Sequence, residues 1–151
     1  MARVLEVGIY RGASLRMWRD FFPNAEIFGF DFDPQTMFKE DRITCSYCDQ
    51  LSVSSMYQAA VSAGGNFDLI IEDGSHAPAD QVRSAEVLLP FLAPGGIYVV
   101  EDLWGHEAKV PLDDLLKRFP SSYSYIVPDL LPTSNFSFKD SEQLLICWDA
   151  R

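Results

Sequence analysis

Two apolar runs end in residues with the chemistry of a reaction centre. Phe67-Asp68-Leu69-Ile70-Ile71-Glu72 leads into Asp73-Gly74-Ser75-His76, and Gly96-Ile97-Tyr98-Val99-Val100 leads into Glu101-Asp102. Converging carboxylates can hold a cation, and a neutral histidine beside them can accept a proton. A second set is Glu6-x-Gly8-x-x-x-Gly12, whose glycines allow a sharp turn and close approach of backbone to a ligand. Asp31 and Asp33 follow about 20 residues later, where a carboxylate can accept hydrogen bonds from ribose hydroxyls.

These residues meet only if particular elements carry them. Short apolar runs read as buried strands of a parallel sheet. In open α/β sheets the ligand binds beyond the carboxyl ends of the strands. Neighbouring strands lie about 4.8 Å apart, so adjacent runs would bring Asp73, Glu101 and Asp102 to one point, with His76 beside them. Strands are predicted from Arg3 to Val7, Glu26 to Phe30, Ile43 to Cys48, from Phe67, and from Ile97 to Val100. Two more are predicted from Ser124 to Val127 and from Gln143 to Trp148. Helices are predicted from Ser14 to Phe22, with Leu15, Trp18, Phe21 and Phe22 on the apolar side, and from Ser54 to Ala63, Pro78 to Leu92 and Leu112 to Phe119. Pro94-Gly95-Gly96 reads as a turn and Pro128 to Ser141 as a loop. Alternating strand and helix means a parallel, doubly wound α/β sheet with right-handed crossovers. The last two strands, with no helix between them, read as an antiparallel edge hairpin.

The totals bound the function. A chain of 151 residues fits one domain, residues 1–151. Its 48% hydrophobic content is too high for disorder. No apolar run approaches the roughly 20 residues needed to cross a membrane. Met1-Ala2-Arg3 runs straight into a strand, so a signal peptide is not expected and the cytoplasm is the expected compartment. The net charge of −10 argues against a nucleic-acid partner. Cys45-Ser-Tyr-Cys48 would need further zinc ligands, and only Cys147, His76 and His106 remain. Reduced thiols are the expectation.

Each feature also has a plain structural reading. Asp73 and Asp102 could cap turns, and His76 could be a helix-start histidine with a backbone partner. Asp31 and Asp33 could be a solvated strand end. Strand alternation turns Glu72 away from Asp73. His106 reads as a surface residue, and Trp104 suits either ring stacking or core packing. Taken together at adjacent strand ends, the acids and His76 point to a site. The glycine spacing is not G-x-G-x-x-G, and no Tyr-x-x-x-Lys pair occurs, which argues against a nicotinamide dehydrogenase.

Glu6-Val7-Gly8-Ile9-Tyr10-Arg11-Gly12-Ala13-Ser14 followed by Gly29-Phe30-Asp31-Phe32-Asp33-Pro34 resembles the S-adenosylmethionine site of class I methyltransferases. Asp73-Gly74-Ser75-His76, with Pro94-Gly95-Gly96 leading into Ile97 to Asp102, is similar to the metal-dependent O-methyltransferases acting on sugars of macrolides and related natural products. These are the mycinamicin and tetracenomycin type, with cephalosporin hydroxylase-like relatives. The resemblance covers about Val4 to Trp104. It implies a Rossmann-like fold with a mostly parallel seven-stranded sheet and the C-terminal hairpin. It implies a cofactor site formed by Glu6, Gly8, Gly12, Ser14, Asp31, Asp33, Asp49, Gln50 and Asp73. Within it, Asp31 would hold the ribose hydroxyls, and Asp49 and Gln50 would lie on the adenine side. Asp73, Glu101 and Asp102 match the Mg2+ ligands, and His76 the general base. Carboxylate oxygens suit magnesium, which can orient two neighbouring hydroxyls and lower their pKa.

The expected function is therefore Mg2+-dependent methyl transfer from S-adenosyl-L-methionine to a hydroxyl of a small sugar-bearing or diol substrate. A metal-independent methyltransferase, or a non-catalytic S-adenosylmethionine-binding module acting through a partner, is the competing expectation. The resemblance also implies N-terminal cover helices, which are expected to be lacking here. An uncovered cofactor and bare sheet edges point to a homo-oligomer.

Overall fold

Strand β1 (Arg3–Val7) lies between β2 (Glu26–Asp31) and β5 (Phe67–Glu72) and runs parallel to both. The computed structural model describes residues 2–104, 123–126 and 142–149. Beyond β2 lie β4 (Ile43–Tyr47) and the two-residue β3 (Lys39–Glu40); beyond β5 lies β6 (Leu92–Trp104). The six strands of residues 2–104 follow the order β3-β4-β2-β1-β5-β6, and only β3 runs antiparallel to its neighbour. This is a Rossmann-like α/β sheet. Segments β7 (Tyr123–Ile126) and β8 (Glu142–Asp149) are extended; β8 lies antiparallel to β6, and β7 to β8. The predicted helix from Leu112 and the predicted loop from Pro128 lie outside the described residues, as does His106.

Helix α1 (Ala13–Phe21) covers one face of the sheet, while α2 (Val53–Ala63) and α3 (Pro78–Leu88) cover the other. Leu15 packs with Val4, Ile9, Ile27 and Ile71 beneath α1. Met56, Ala60, Ala85 and Leu88 pack with Leu5, Phe30, Phe67 and Ile70 on the opposite side. Strand alternation sends Val4 and Leu5 to different cores. The helix boundaries have local causes. Ser52 caps α2 by accepting from the Ser55 N–H, and Gly64 closes it in the left-handed region. Pro78 stands at the start of α3, where its missing N–H costs nothing.

Three expectations are corrected, and one strand was not expected. Helix α3 stops at Leu88, and Leu89–Phe91 forms a single tighter turn. Pro90 cannot donate a helical hydrogen bond and disfavours the helix before it. Pro94-Gly95-Gly96 is a bulge inside β6 rather than a turn before it: Phe67 pairs with Leu92, and Leu69 already pairs with Ile97. Phe21 is 70% exposed, because the buried stripe uses Leu15, Trp18 and Phe22 and the helix turns Phe21 off it. The short β3 went unpredicted; two charged residues carry no apolar period.

Candidate active site

The winding of the chain reverses at β1: it proceeds to β2 and β4 on one side, then returns to place β5 and β6 on the other. Loops leaving β1 and β5 therefore part at the sheet edge, and a cleft of about 900 Å³ opens between them. Gly8 seats the two loops against each other. Its φ is +100°, and a Cβ there would stand 2.1 Å from the Asp73 carbonyl oxygen. Its N–H donates to the Phe30 carbonyl at 2.8 Å, and the Asp73 N–H donates to the Val7 carbonyl at 3.0 Å. Only glycine fits that contact.

Asp31 holds the first loop. Its Oδ2 accepts from the N–H groups of Ile9 (2.8 Å) and Tyr10 (3.3 Å), and its Oδ1 accepts from the Asp33 N–H (2.9 Å). Asp33 in turn caps the next turn by accepting from the Gln35 N–H at 2.9 Å. Both aspartates line the cleft. Glu6 lies beneath the loop, fully buried; it accepts from the Ser14 hydroxyl and, at 2.7 Å, from the Trp18 indole N–H. Burial pushes its carboxyl up to about 7, against the opposing pull of Ser14 and Trp18. Ser14 lines the cleft, whereas Glu6 and Gly12 support it from behind.

Asp49 and Gln50 also line the cleft but are occupied within the protein. Asp49 Oδ1 accepts from the Leu51 N–H at 2.9 Å. The Gln50 amide donates to Glu72 (2.5 Å) and to Ser84 (3.0 Å), and its oxygen accepts from the Ser75 N–H (3.0 Å). Glu72 faces this buried network, away from Asp73, as strand alternation requires. Its carboxyl is raised to about 7, chiefly by burial.

The opposite wall carries the acids and the histidine. Ligand atoms of Asp73, His76 and Asp102 lie within 4.8 Å of one another. His76 Nδ1 is 4.0 Å from Asp73 Oδ1, and its Nε2 is 3.8 Å from Asp102 Oδ2. Both distances exceed a hydrogen bond, so the imidazole stands between two carboxylates bonded to neither. Nδ1 is buried and finds no partner among the described residues. Burial raises the Asp73 carboxyl; His76 lowers it, and the Asp102 charge raises it further. Glu101 is raised first by burial, then by Asp73 and Asp102. It is close enough to feel both charges, yet it stands outside the tight group of three.

Backbone shape places this wall. Val100 pairs with Leu145 of β8 and Leu103 with Gln143, so Glu101 and Asp102 face one residue across the ladder. This bulge re-aims Asp102 at the cleft, as bulges beside sites commonly do. Asp102 has φ +52°, and His76 (+58°) and Tyr10 (+47°) share the left-handed region. Three of the five non-glycine residues with positive φ among the described residues thus line the cleft.

Sequence reasoning passed over α3. Asp80 Oδ2 accepts from the Ser75 hydroxyl at 2.7 Å, and Gln81 Nε2 donates to the Glu101 carbonyl at 3.0 Å. Asp80, Gln81 and Ser84 are all buried. Polar residues falling on the buried stripe of a helix were the available signal.

A family model described as a methyltransferase domain matches residues 5–103, the span that builds both walls. The chain belongs to this methyltransferase family. This methyltransferase domain is 40% identical over 109 residues to demethylmacrocin O-methyltransferase of Streptomyces fradiae, covering 68% of this chain and 27% of that protein. It is 41% identical over 109 residues to an 8-demethyl-8-(2-methoxy-alpha-L-rhamnosyl)-tetracenomycin-C 3'-O-methyltransferase of Streptomyces olivaceus, covering 68% and 28%. Among solved structures it resembles MycE methyltransferase of the mycinamycin biosynthetic pathway, in complex with Mg, SAH and mycinamycin VI. There the identity is 38% and the TM-score 0.63, over 68% of this chain and 28% of MycE. A second crystal form of MycE with Mg and SAH aligns over 100% of this chain and 45% of MycE, at 28% identity and TM-score 0.73. The chain spans little more than a quarter of the length of the curated relatives it matches.

Proposed function

We propose that this chain is the cofactor- and metal-binding unit of an O-methyltransferase that transfers a methyl group from S-adenosylmethionine to a hydroxyl of a sugar-bearing small molecule. The observation that carries this reading is the clustering of Asp73, His76 and Asp102 in the same cleft as the Gly8 loop, against which the Asp73 backbone packs. The donor set suits Mg2+: two hard carboxylates, Asp73 and Asp102, with a third, Glu101, nearby; burial and the neighbouring acids make Asp73 and Glu101 easier to protonate. A divalent cation relieves that repulsion. We assign Asp73, Glu101 and Asp102 as its ligands. When bound, the ion orients neighbouring hydroxyls and lowers their pKa.

The chain's own residues do the remaining work. Gly8 and Ser14 face the methionine and ribose portions of the cofactor, with Gly12 and Glu6 supporting the loop and Asp73 beside it. Asp31 keeps the loop in place and, with Asp33, offers carboxylate oxygen to ribose hydroxyls. Asp49 and Gln50 bound the adenine end. His76 would take the proton from the acceptor hydroxyl as its oxygen bonds the methyl carbon and the carbon–sulfur bond breaks, leaving S-adenosylhomocysteine; such proton acceptance is worth about a hundred- to ten-thousandfold in general. One relative is named for a rhamnosyl-bearing substrate and another for an olivosyl-bearing one, and MycE was solved with Mg and SAH; both support this class of acceptor and cofactor.

In the same reading residues 1–151 form one domain whose sheet ends in the C-terminal hairpin. The unit assembles as a homo-oligomer and takes no nucleic acid, in keeping with its charge of −10. Among the described residues no helix is long and apolar enough to cross a membrane.

The test is calorimetric titration of S-adenosylmethionine with Mg2+ and with chelator, followed by a panel of glycosides and diols. Saturable binding and Mg2+-dependent methylation of a hydroxyl support the reading. Absence of cofactor binding in both conditions sinks it. Cofactor binding with no transfer to any acceptor would favour a non-catalytic binding module.

A further inference from the structure

We infer that Gln81 is a positioning residue for the acidic wall: from α3 it holds the β6 bulge that carries Glu101 and Asp102. The bulge needs a holder. Between Val100 and Leu103 the ladder to β8 loses its one-to-one register, and Asp102 sits at φ +52°. A backbone carbonyl released from a ladder must find another donor when it lies inside a protein. The Glu101 carbonyl finds Gln81 Nε2 at 3.0 Å. Gln81 itself has no exposed surface.

The preceding residue does the matching task on the other side. Asp80 accepts from the Ser75 hydroxyl at 2.7 Å, next to His76. One turn of α3 therefore ties down both loops, and the 3.8 Å between His76 Nε2 and Asp102 Oδ2 is set across it. Packing alone does not account for glutamine here. Its Oε1 is buried and accepts no hydrogen bond among the described residues, which is a burden on stability. Methionine has a similar length and shape without that burden.

The inference rests on the reading of Asp73 and Asp102 as metal ligands, and its test separates the two. Gln81→Met in the full chain is compared with the unaltered protein by four measurements. These are Mg2+ titration, S-adenosylmethionine titration in chelator, thermal unfolding, and hydrogen exchange at the amides of residues 101–103. The expected result is a Mg2+ Kd raised about ten- to a hundredfold, as for other residues that orient ligands. Cofactor affinity in chelator and the unfolding temperature stay as they were, and exchange at 101–103 quickens. Unchanged exchange together with unchanged Mg2+ affinity overturns the inference. So does parallel loss of Mg2+ affinity, cofactor affinity and unfolding temperature, which is what a residue serving only the core would give. If the unaltered protein takes up no Mg2+, the metal reading fails, and the exchange comparison alone decides whether Gln81 holds the bulge. Gln81→Leu is the second variant; failure of both to fold assigns Gln81 to the core and refutes the positioning role.

Discussion

Asp73 and Asp102 differ from ordinary surface aspartates in what surrounds them. Each faces the same imidazole from opposite sides, and burial and repulsion make the Asp73 carboxyl easier to protonate. Asp73→Asn or Asp102→Asn should therefore weaken Mg2+ binding by at least about tenfold, with cofactor binding in chelator largely retained, as read by calorimetry. Proton and metal compete for the same oxygens. Mg2+ affinity should accordingly start to fall above the usual carboxylate range as the pH is lowered. Glu6 gives the opposite kind of pH dependence. Its folded pKa, about 7, lies above the ordinary 4.5. Between those values the folded protein holds a proton that the unfolded chain has released. Its contribution to stability is thus fully present below 4.5 and is lost as the pH rises through 7, on the order of 3 kcal/mol in all. The Trp18 indole donates to this carboxylate, so its N–H resonance should titrate with a midpoint near 7. A resonance that stays fixed from pH 5 to 9 would mean the carboxyl titrates elsewhere.

At the level of elements, loops that meet at a strand end are less forgiving than loops that meet nothing. Gly8→Ala would force a Cβ into the Asp73 carbonyl from a backbone at φ +100°. It should cost more than about 3 kcal/mol in chemical denaturation and abolish cofactor binding. Gly95 also has positive φ, +76°, but nothing within 4 Å of its Cβ position. Gly95→Ala should cost only about 1 kcal/mol, the strain of the left-handed region alone. Equal losses in the two variants would refute the steric argument. The same contrast explains what the sequence made legible. Strands β1, β2, β4 and β5 were recoverable because short runs rich in apolar, β-branched and aromatic residues have a simple signature. The extent of β6 was not, because its bulge is made by proline and glycines that otherwise signal a turn. Asp73, His76 and Asp102 were legible as strand-end residues, but the engagement of Gln50 by Glu72 and Ser84 was not. It arises from a strand and a helix that each lie more than 20 positions beyond Gln50, and their packing leaves no local pattern.

Over the whole molecule, one side of the cleft comes from residues 7–51 and the other from residues 73–102. Neither half is a site alone, and β1 and β5 join them at the centre of the sheet. Binding should therefore be linked to global unfolding rather than to a local event. S-adenosylmethionine at a hundred times its Kd should add about 2.7 kcal/mol to unfolding, with calorimetric and van't Hoff enthalpies in agreement. A second, ligand-independent transition would show that the two halves unfold separately. Sedimentation measured across concentration tests the proposed self-association.

The bulge before Leu103 sets the sheet and the acidic wall at odds over a single residue. Delete one position there, and Val100 and Leu103 would match Leu145 and Gln143 step for step. The ladder would be more regular, and the aspartate would be lost or turned to the other face. Point substitutions can be scanned along this stretch, but its length is fixed. Homologues that keep the wall should keep acids at positions 101 and 102, vary on either side of them, and show no insertion or deletion between Val100 and Leu103.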